Sequence, residues 1–254
     1  MPIISYQLYS SRNFGPISKS LQMLSQAGYK NVEGYGALFT DVESAAALKK
    51  DIEANGLKMP TAHMGLANLE ESPEKCVEMA KILGLEAVFI PHIEADLRPS
   101  DLEGWRAFGK RVQTALAPLT DAGLTTGWHN HDFEMKEYEG GATALDALLE
   151  GGADLKVELD LAWVIKGGKD PISFLEKYSD RIAAVHIKDI AQEGKCADED
   201  GWADVGHGTV DWYPIYDAIN KTSNTYVIAE HDNPNDDARF AKRSIATINL
   251  LWKA

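Results

Sequence analysis

The sequence predicts an α/β fold, a single (β/α)8 TIM barrel formed by residues 1–254. Short apolar or β-branched runs alternate with longer stretches of helical period along the whole chain. Eight such pairs fit into 254 residues, which is the usual size of this barrel. The rival is an open doubly wound sheet, which often carries a Gly-rich phosphate loop after its first strand. Here that position reads YSSRNFG, so the barrel is favoured.

Eight runs are short and apolar enough to form strands that are buried on both faces. The runs are IISYQLY (3–9), NVEGYG (31–36), MPTAHM (59–64), AVFIPHI (87–93), TTGWHNH (125–131), LKVELD (155–160), IAAVHIKD (182–189) and YVIAEHD (226–232). Parallel strands require right-handed crossover connections, and the helical stretches between these runs supply them.

Helix ends are marked by residues that favour them. PISKSLQMLSQAGY begins with Pro16 and ends at Gly28, and DVESAAALKKDIEANG has Asp41 as an N-cap and a Gly at its end. The long stretch DLEGWRAFGKRVQTALAPLTDAG is expected to bend or restart at Pro118. The remaining predicted helices are SPEKCVEMAKILG, DPISFLEKYSD, DWYPIYDAINK and DDARFAKRSIATINLLWK.

The composition excludes several classes of protein. A formal net charge of −14 disfavours binding to nucleic acid or an anionic membrane, because both carry negative charge. The two cysteines, Cys76 and Cys196, form no disulfide framework and suit a reducing compartment. The first residues already form a predicted strand and do not resemble a signal peptide, and no long apolar run could span a membrane. We therefore expect a cytoplasmic protein.

Polar residues cluster where the predicted strands end. Six of the seven histidines lie at these carboxyl ends, which is where barrels of this kind build their active sites. The polar residues there are His63, His92, His129, Asn130, His131, Glu158, Asp160, His186, Lys188, Asp189, Glu230, His231 and Asp232. Charged groups buried at a barrel mouth need a partner or a metal, so this face is predicted to hold the functional site.

The period of two in a strand indicates which of these side chains share a face. If Asp160 and His186 point into the mouth, adjacent strands bring a carboxylate and an imidazole together, and Glu230 adds a second carboxylate. A set of Asp, Glu and His without cysteine suits a divalent ion such as Mn²⁺, Mg²⁺, Co²⁺ or Zn²⁺. The mixture of imidazole and carboxylates favours Mn²⁺ over an all-oxygen Mg²⁺ site.

The segment LKVELDLAWVIKGGKDPISFLEKYSDRIAAVHIKD, followed by VGHGTVDW and VIAEHD, resembles the sugar phosphate isomerase/epimerase family, the xylose isomerase-like TIM barrels. GWHNHDFE is similar to the fifth-strand segment of one branch of that family. The resemblance covers nearly the whole chain and is most specific between residues 125 and 232. It implies a divalent metal bound by a Glu from strand five, an Asp from strand six, a His from strand seven and a Glu from strand eight.

Three of these implied ligands match the family's motifs directly. They are Asp160, His186 and Glu230. At strand five the chain departs from the family, because His129 stands where many members have Glu. We expect Glu134, five residues further on, to fold back over the mouth as the replacement ligand. Otherwise His129 or His131 binds the metal.

Other positions are expected to contact the substrate. Trp163 stands where epimerases of this type often have a substrate-binding His, and it would offer an apolar wall or a stacking face. His63 and His92 are expected to line the pocket and bind hydroxyl groups. Glu158 either contacts the substrate or lies behind the metal. His207 stands where the family commonly has Glu, and its role stays open.

The resemblance implies an isomerase or epimerase of a keto-sugar, which abstracts a proton next to a carbonyl through a metal-stabilised enediolate. Epimerisation requires bases on both faces of the substrate, a role for Glu134 and Glu230. The alternative is a lyase or dehydratase acting on a keto-inositol or a 3-keto-glycoside, with the pair His129 and His131 as base and then acid. Lys188 either binds a substrate oxygen or pairs with a carboxylate.

Two further hypotheses are weaker. Metal-dependent phosphodiester hydrolysis is disfavoured by the acidic charge, and a sugar-binding barrel without catalysis is disfavoured by the complete set of metal ligands. Lys188 and Arg12 are the only basic residues noted near the strand ends, so a free or glycosidic sugar is expected rather than a sugar phosphate. Barrels of this type often pair, so a homo-oligomer is compatible with the sequence.

Overall fold

The computed structural model describes residues 1–252 and contains a closed barrel of eight parallel strands. The barrel strands are β1 (Ile3–Gln7), β2 (Asn31–Gly34), β3 (Lys58–His63), β4 (Ala87–Ile90), β5 (Thr125–His129), β6 (Lys156–Asp160), β7 (Ile182–Ile187) and β10 (Tyr226–Ala229). Strand β1 pairs with both β2 and β10, which closes the barrel. The predicted fold class is therefore confirmed.

The predicted strands differ from the observed ones mainly at their carboxyl ends. Each begins within one residue of its prediction, but six of the eight end two or three residues earlier. The trailing residues, His131 and Lys188 among them, have left the hydrogen-bonded ladder and lie in the loops above it. The alternation of each run continues into the polar residues that follow it, so the sequence pattern alone places the end of the strand too late.

Helices surround the barrel and connect its strands. They are α1 (Ile17–Ala27), α2 (Val42–Ala54), α3 (Leu66–Glu71), α4 (Pro73–Leu83), α5 (Leu102–Asp121), α6 (Ala144–Gly151), α7 (Leu161–Lys166), α8 (Pro171–Lys177), α9 (Trp212–Ile219) and α10 (Asp237–Leu251). Asp41 caps α2 as predicted, accepting a hydrogen bond from the amide of Ser44. Helix α5 does not restart at Pro118, which lies in its last turn.

The two faces of the strands serve different layers. Outward side chains pack against the helices, as Trp128 does against Phe108 with ring centroids 5.5 Å apart. In the amino-terminal half of the barrel a small apolar cluster, which includes Phe89 and Ile228, fills the interior. In the other half the inward side chains are polar. The interior of the barrel is therefore apolar at the amino-terminal ends of the strands and polar at their carboxyl ends.

A two-stranded antiparallel hairpin follows β7 and was not predicted. It pairs β8 (Asp189–Ile190) with β9 (Trp202–Ala203). The Asp189 carboxylate accepts hydrogen bonds from two loop amides and, at 3.0 Å, from the indole of Trp212. This anchor holds the Trp202 ring 4.8 Å from that of Trp163, so the hairpin contributes to one wall of the mouth.

Helices α5 and α6 approach so closely that Gly109 has no room for a side chain. A Cβ there would lie 1.9 Å from the carbonyl oxygen of Leu148. Gly109→Ala is expected to lower the free energy of unfolding by about 3 kcal/mol, because the helices must move apart. This is the reverse of an exposed helix, where Ala is about 1 kcal/mol better than Gly. Urea denaturation followed by circular dichroism measures the change.

The exposed Ala107 on the same helix provides the control. Ala107→Gly should cost only the difference in helix propensity, about 1 kcal/mol. Equal losses in the two variants would contradict the close-contact explanation.

Within residues 1–252 the structure has no helix that is both long and apolar enough to cross a bilayer.

Candidate metal centre and active-site cavity

A cavity of about 540 Å³ opens at the carboxyl ends of the barrel strands. This volume lies within the usual range for small-molecule sites. The predicted site residues that line it are His63, His92, His129, His131, Trp163, Lys188 and Glu230. These seven residues, which the sequence placed at or just beyond strand ends, therefore lie together in the wall of one cavity.

Four buried side chains meet at the floor of this cavity. They are His129, Asp160, His186 and Glu230, and we call them the mouth quartet. Each offers one ligand atom, and these four atoms lie within 4.8 Å of one another. They come from the ends of β5, β6 and β7 and from the residue that follows β10. The period of two points all four inward from neighbouring strands.

A second group overlaps with the first and lies deeper. It contains His63, His129, Glu158 and His186, and we call it the inner quartet. Glu158 is its centre, with Oε2 2.5 Å from His63 Nε2 and 3.1 Å from His129 Nδ1. Glu158 is fully buried and does not line the cavity. Of its two predicted roles, its position matches the one behind the metal site.

His186 and the carboxylates around it hold one another in charged forms, whereas burial lowers the pKa of His129. Burial opposes a charge on His186, but the carboxylates of Glu158 and Glu230 outweigh it and raise the pKa of this imidazole well above its usual value. Burial likewise opposes ionisation of Glu158, but His186 and His63 hold its pKa well below the ordinary range. The floor of the cavity is therefore strongly polarised.

Lys188 is the single buried lysine within the described part of the chain. Its ammonium lies 2.9 Å from Glu230, 2.9 Å from Asp232 and 3.1 Å from Asp160. Burial opposes its charge, but these carboxylates raise its pKa well above the usual value. The same ammonium lies over the rings of Trp163 and Trp202, at 5.2 and 4.9 Å. Lys188 therefore pairs with carboxylates, which was one of its two predicted roles. It also lines the cavity, which is compatible with the other role, binding a substrate oxygen.

The mouth quartet fits a divalent cation. Two imidazoles and two carboxylates form a donor set suited to Mn²⁺, Zn²⁺ or Co²⁺. Asp160 Oδ2 is buried and accepts no hydrogen bond from the described residues, although the Lys188 ammonium lies 3.1 Å from it. A cation could therefore take this oxygen as a ligand beside Lys188. The carboxylates of Glu33, Glu158, Asp160 and Glu230 are all buried here. One lysine and partly charged histidines face this concentration of negative charge, and a bound cation would stabilise it.

Glu134 is not brought to the mouth quartet. It lies in a short 3₁₀ turn after β5, where Oε1 accepts a hydrogen bond from the indole of Trp128 and Oε2 accepts one from the amide of His131. Trp128 faces the helical layer, opposite to His129, so the carboxylate that binds its indole points away from the mouth. Burial raises the pKa of Glu134 to about 8. His129 occupies the strand-five position instead.

His131 lies above the mouth quartet, in the wall of the cavity. Its Nδ1 is buried without a hydrogen-bond partner among residues 1–252. Burial, together with the neighbouring His129 and Lys188, lowers the pKa of His131 well below its usual value. The imidazole is therefore neutral and has an unpaired nitrogen beside the proposed metal position. This is the state that a general base requires.

Two predicted pocket residues lie further from the floor. His92 is half-exposed, with its ring 5.2 Å from that of His131 and its Nε2 3.1 Å from the guanidinium of Arg98. Trp163 forms the opposite wall, and its ring lies 5.2 Å from His131. His207, whose role the sequence left open, is exposed and does not line the cavity.

Sequence reasoning missed several residues of the site. Glu33, at the end of β2, is fully buried, and its Oε1 lies 2.7 Å from His186 Nε2. It is a charged residue at a strand end, so the rule that selected Glu230 would also have selected it. Tyr9 and Tyr35 end up in the cavity wall just beyond β1 and β2, although both belong to runs predicted as strands, and Asp200 lines the cavity from the segment after β8.

Comparison with known proteins gives relatives with matching architecture. A 173-residue stretch is 28% identical to the inosose dehydratase of Lacticaseibacillus casei, covering 57% of this chain and 56% of that protein. The match thus extends over little more than half the length of the curated relative. A sugar phosphate isomerase/epimerase from Parabacteroides distasonis superimposes with a TM-score of 0.81 at 18% identity, covering 99% and 94% of the two chains.

The IOLI protein, whose crystal structure contains a zinc atom, superimposes with a TM-score of 0.77 at 14% identity, covering 99% and 98% of the two chains. At these identities the structural matches demonstrate a shared fold. The family model of the xylose isomerase-like TIM barrel matches residues 21–249, nearly the whole chain. The chain therefore belongs to the xylose isomerase-like TIM barrel family.

Proposed function

We propose that this protein is a divalent-metal-dependent lyase that removes water from a carbohydrate carrying a ketone, a keto-inositol or a 3-keto-glycoside. The observation that supports this most directly is the neutral imidazole of His131 in the cavity wall, beside the mouth quartet. An elimination requires one base that takes a proton next to the carbonyl and an acid that protonates the departing oxygen.

The carboxylates at the floor favour elimination over epimerisation. Epimerisation requires two bases on opposite faces of the substrate, and the predicted pair was Glu134 and Glu230. Glu134 instead binds the indole of Trp128 on the outer side of β5. Glu230 is thus left as the one carboxylate base of that pair that lines the cavity.

Each part of the site has its own role in the proposed reaction. A cation bound by the mouth quartet supplies a Lewis acid that polarises the ketone. His131 takes the proton from the adjacent carbon, and the electron pair of that C–H bond forms a carbon–carbon double bond. The C–O bond on the next carbon breaks, and the protonated His131 returns its proton to the leaving hydroxyl, which departs as water. Lys188, held as an ammonium, orients a substrate oxygen.

The substrate class follows from the charges and shape of the cavity. Of its two basic residues, Lys188 faces three carboxylates, and Arg12 donates hydrogen bonds to the backbone oxygens of Tyr9 and Asp232. A single arginine at the wall, without a second unpaired cation beside it among the described residues, favours a substrate without a phosphate group. Trp163, Tyr9 and Tyr35 offer apolar faces of the kind on which sugar rings stack. The inosose dehydratase relative supports a cyclic keto-polyol.

The isomerase or epimerase reading remains the second candidate, and Glu230 is the observation in its favour. Burial opposes its charge, but Lys188 and His186 hold the pKa of Glu230 well below the usual range. An ionised carboxylate at the floor can take the proton next to the ketone and, once protonated, return it to carbon rather than to oxygen.

One experiment separates these functions. The Mg²⁺-loaded protein is incubated in D₂O with a panel of ketoses, inososes and 3-keto-glycosides and followed by NMR and mass spectrometry. We expect exchange of the proton next to the ketone, followed by a product that has lost one water. A product that has lost no water and differs in mass only by incorporated deuterium, with a moved carbonyl or an inverted centre, would establish the isomerase instead. Tight binding without exchange or product would indicate a sugar-binding barrel.

A further inference from the structure

Glu33 occupies a fully buried position behind the mouth quartet. Its Oε1 accepts a hydrogen bond from Gln7 Nε2 at 2.8 Å and lies 2.7 Å from His186 Nε2. On the other side of the ring, His186 Nδ1 lies 2.9 Å from Glu230 Oε2. The imidazole is thus clamped between a carboxylate of the mouth quartet and one that belongs to neither quartet.

We propose that Glu33 is a positioning residue that keeps the proton of His186 on Nε2 and thereby presents Nδ1 to the metal. A histidine ligand almost always donates its other ring N–H to a carboxylate, carbonyl or water, which fixes its tautomer and orientation. Glu33 is the carboxylate in hydrogen-bond contact with Nε2. The inference rests on the proposed metal site but does not depend on which reaction follows.

The same contact decides between the two overlapping quartets. The nitrogen of His186 that faces Glu158 is Nε2, at 3.4 Å. The inner quartet would therefore require the nitrogen that Glu33 already occupies. The mouth quartet requires Nδ1, on the side of Glu230. Glu33 thus directs a cation to the mouth, where the cavity gives a substrate access, and away from the deeper position.

Gln7 holds Glu33 in this orientation. It lies beside Glu33 in the β1–β2 register and donates to the same oxygen that faces His186. Gln7 is itself fully buried, and its side-chain oxygen accepts a hydrogen bond from the amide of Tyr9. Since the amide of Gln7 is fixed at both ends, the Glu33 carboxylate cannot turn without losing a hydrogen bond.

Glu33→Ala is the direct test, with Co²⁺ affinity measured by calorimetry on protein stripped of metal and reloaded. Removal of an outer partner of this kind typically costs about 10- to 100-fold in metal affinity, and we expect a loss in this range. Glu33→Gln keeps an oxygen for the Nε2–H but loses the charge, so a smaller loss, about tenfold, is expected. The rescue by Gln distinguishes positioning from simple filling of the barrel.

The tautomer of His186 provides a second measurement. It would not change if Glu33 only filled space in the barrel. In Zn²⁺-loaded protein labelled with ¹⁵N-histidine, long-range ¹H–¹⁵N correlation should assign the proton of His186 to Nε2. Glu33→Ala should broaden or weaken that Nε2–H signal, because the carboxylate at 2.7 Å is lost and the next one, that of Glu158, lies 3.4 Å from Nε2. His186→Ala identifies the resonance by its absence.

Thr61→Val is the matched control. Thr61 pairs with Glu33 in the β2–β3 register and is equally buried, and its hydroxyl has no partner among the described residues. We expect its Co²⁺ affinity to equal that of the wild type. Equal affinities for Thr61→Val, Glu33→Gln and Glu33→Ala, with the Nε2–H retained, would overturn the inference. If Glu33→Ala fails to fold, a Glu33→Gln affinity equal to the control overturns it. A wild type that binds no divalent ion would refute the proposed function as well.

Discussion

Asp160→Asn is expected to abolish activity and to weaken binding of Mn²⁺ or Co²⁺ by more than about 100-fold, beyond the effect of losing an outer partner. Asp160 Oδ2 accepts no hydrogen bond from residues 1–252 and faces the Lys188 ammonium at 3.1 Å, so it is the oxygen of this side chain that a metal could bind. Its other oxygen accepts from the amide of Trp163 at 2.9 Å and caps α7. Asn is an equally good N-cap, so the fold should survive the change. Calorimetry measures the affinity, and circular dichroism verifies the fold.

A thermal shift gives an independent measure. At a metal concentration 100 times the wild-type Kd, binding should stabilise the wild type by about 2.7 kcal/mol, and the variant should gain less than about 0.4 kcal/mol. Asp121→Asn is the control, since Asp121 is exposed at the end of α5, directly before β5 and so at the opposite end of the barrel. Retained metal binding in both Asp160→Asn and His186→Ala would refute the mouth quartet as the metal site.

His131→Ala is expected to retain the metal and to lose turnover. His131 belongs to neither quartet, so the ligands stay in place. The loss of a general base typically lowers kcat by about 10²- to 10⁴-fold. Since the imidazole is neutral at ordinary pH, the change should also remove proton exchange next to the ketone. Steady-state kinetics and NMR exchange, each with the metal content measured, test both expectations.

His207→Ala provides the comparison for this variant. His207 is exposed and lies outside the cavity, so its activity should equal that of the wild type. Full activity in His131→Ala would reduce His131 to a packing residue. Loss of metal along with activity would instead place it among the ligands.

The sequence predicted the barrel because its strands are buried on both faces, and burial makes them read as short apolar runs. It predicted the active face for a related reason. Polar residues such as His186 and Glu230 stand out at the ends of such runs, and parallel strands bring all their carboxyl ends to the same side. The sequence pattern alone thus placed the side chains of Asp160 and His186 next to each other.

The remaining details depended on the path of the loops. Glu134 was expected over the mouth, but the turn after β5 directs it to the indole of Trp128 instead. Nothing in WHNHDFE specifies that choice, because both faces of β5 offer a hydrogen-bond donor or a ligand site. The hairpin that carries Trp202 was missed since its two strands have only two residues each. In the structure, His129 of WHNHDFE belongs to the mouth quartet and His131 lines the cavity.

The ammonium of Lys188 among three carboxylates has a consequence for how the protein is assembled. A site of buried acids alone would repel itself until a cation arrived, and folding would then depend on the metal supply. Here the chain brings its own counter-charge in Lys188, fixed above Asp160 and Glu230. If the proposed metal site is correct, the barrel would fold before it binds a cation, and one divalent ion could be exchanged for another without unfolding.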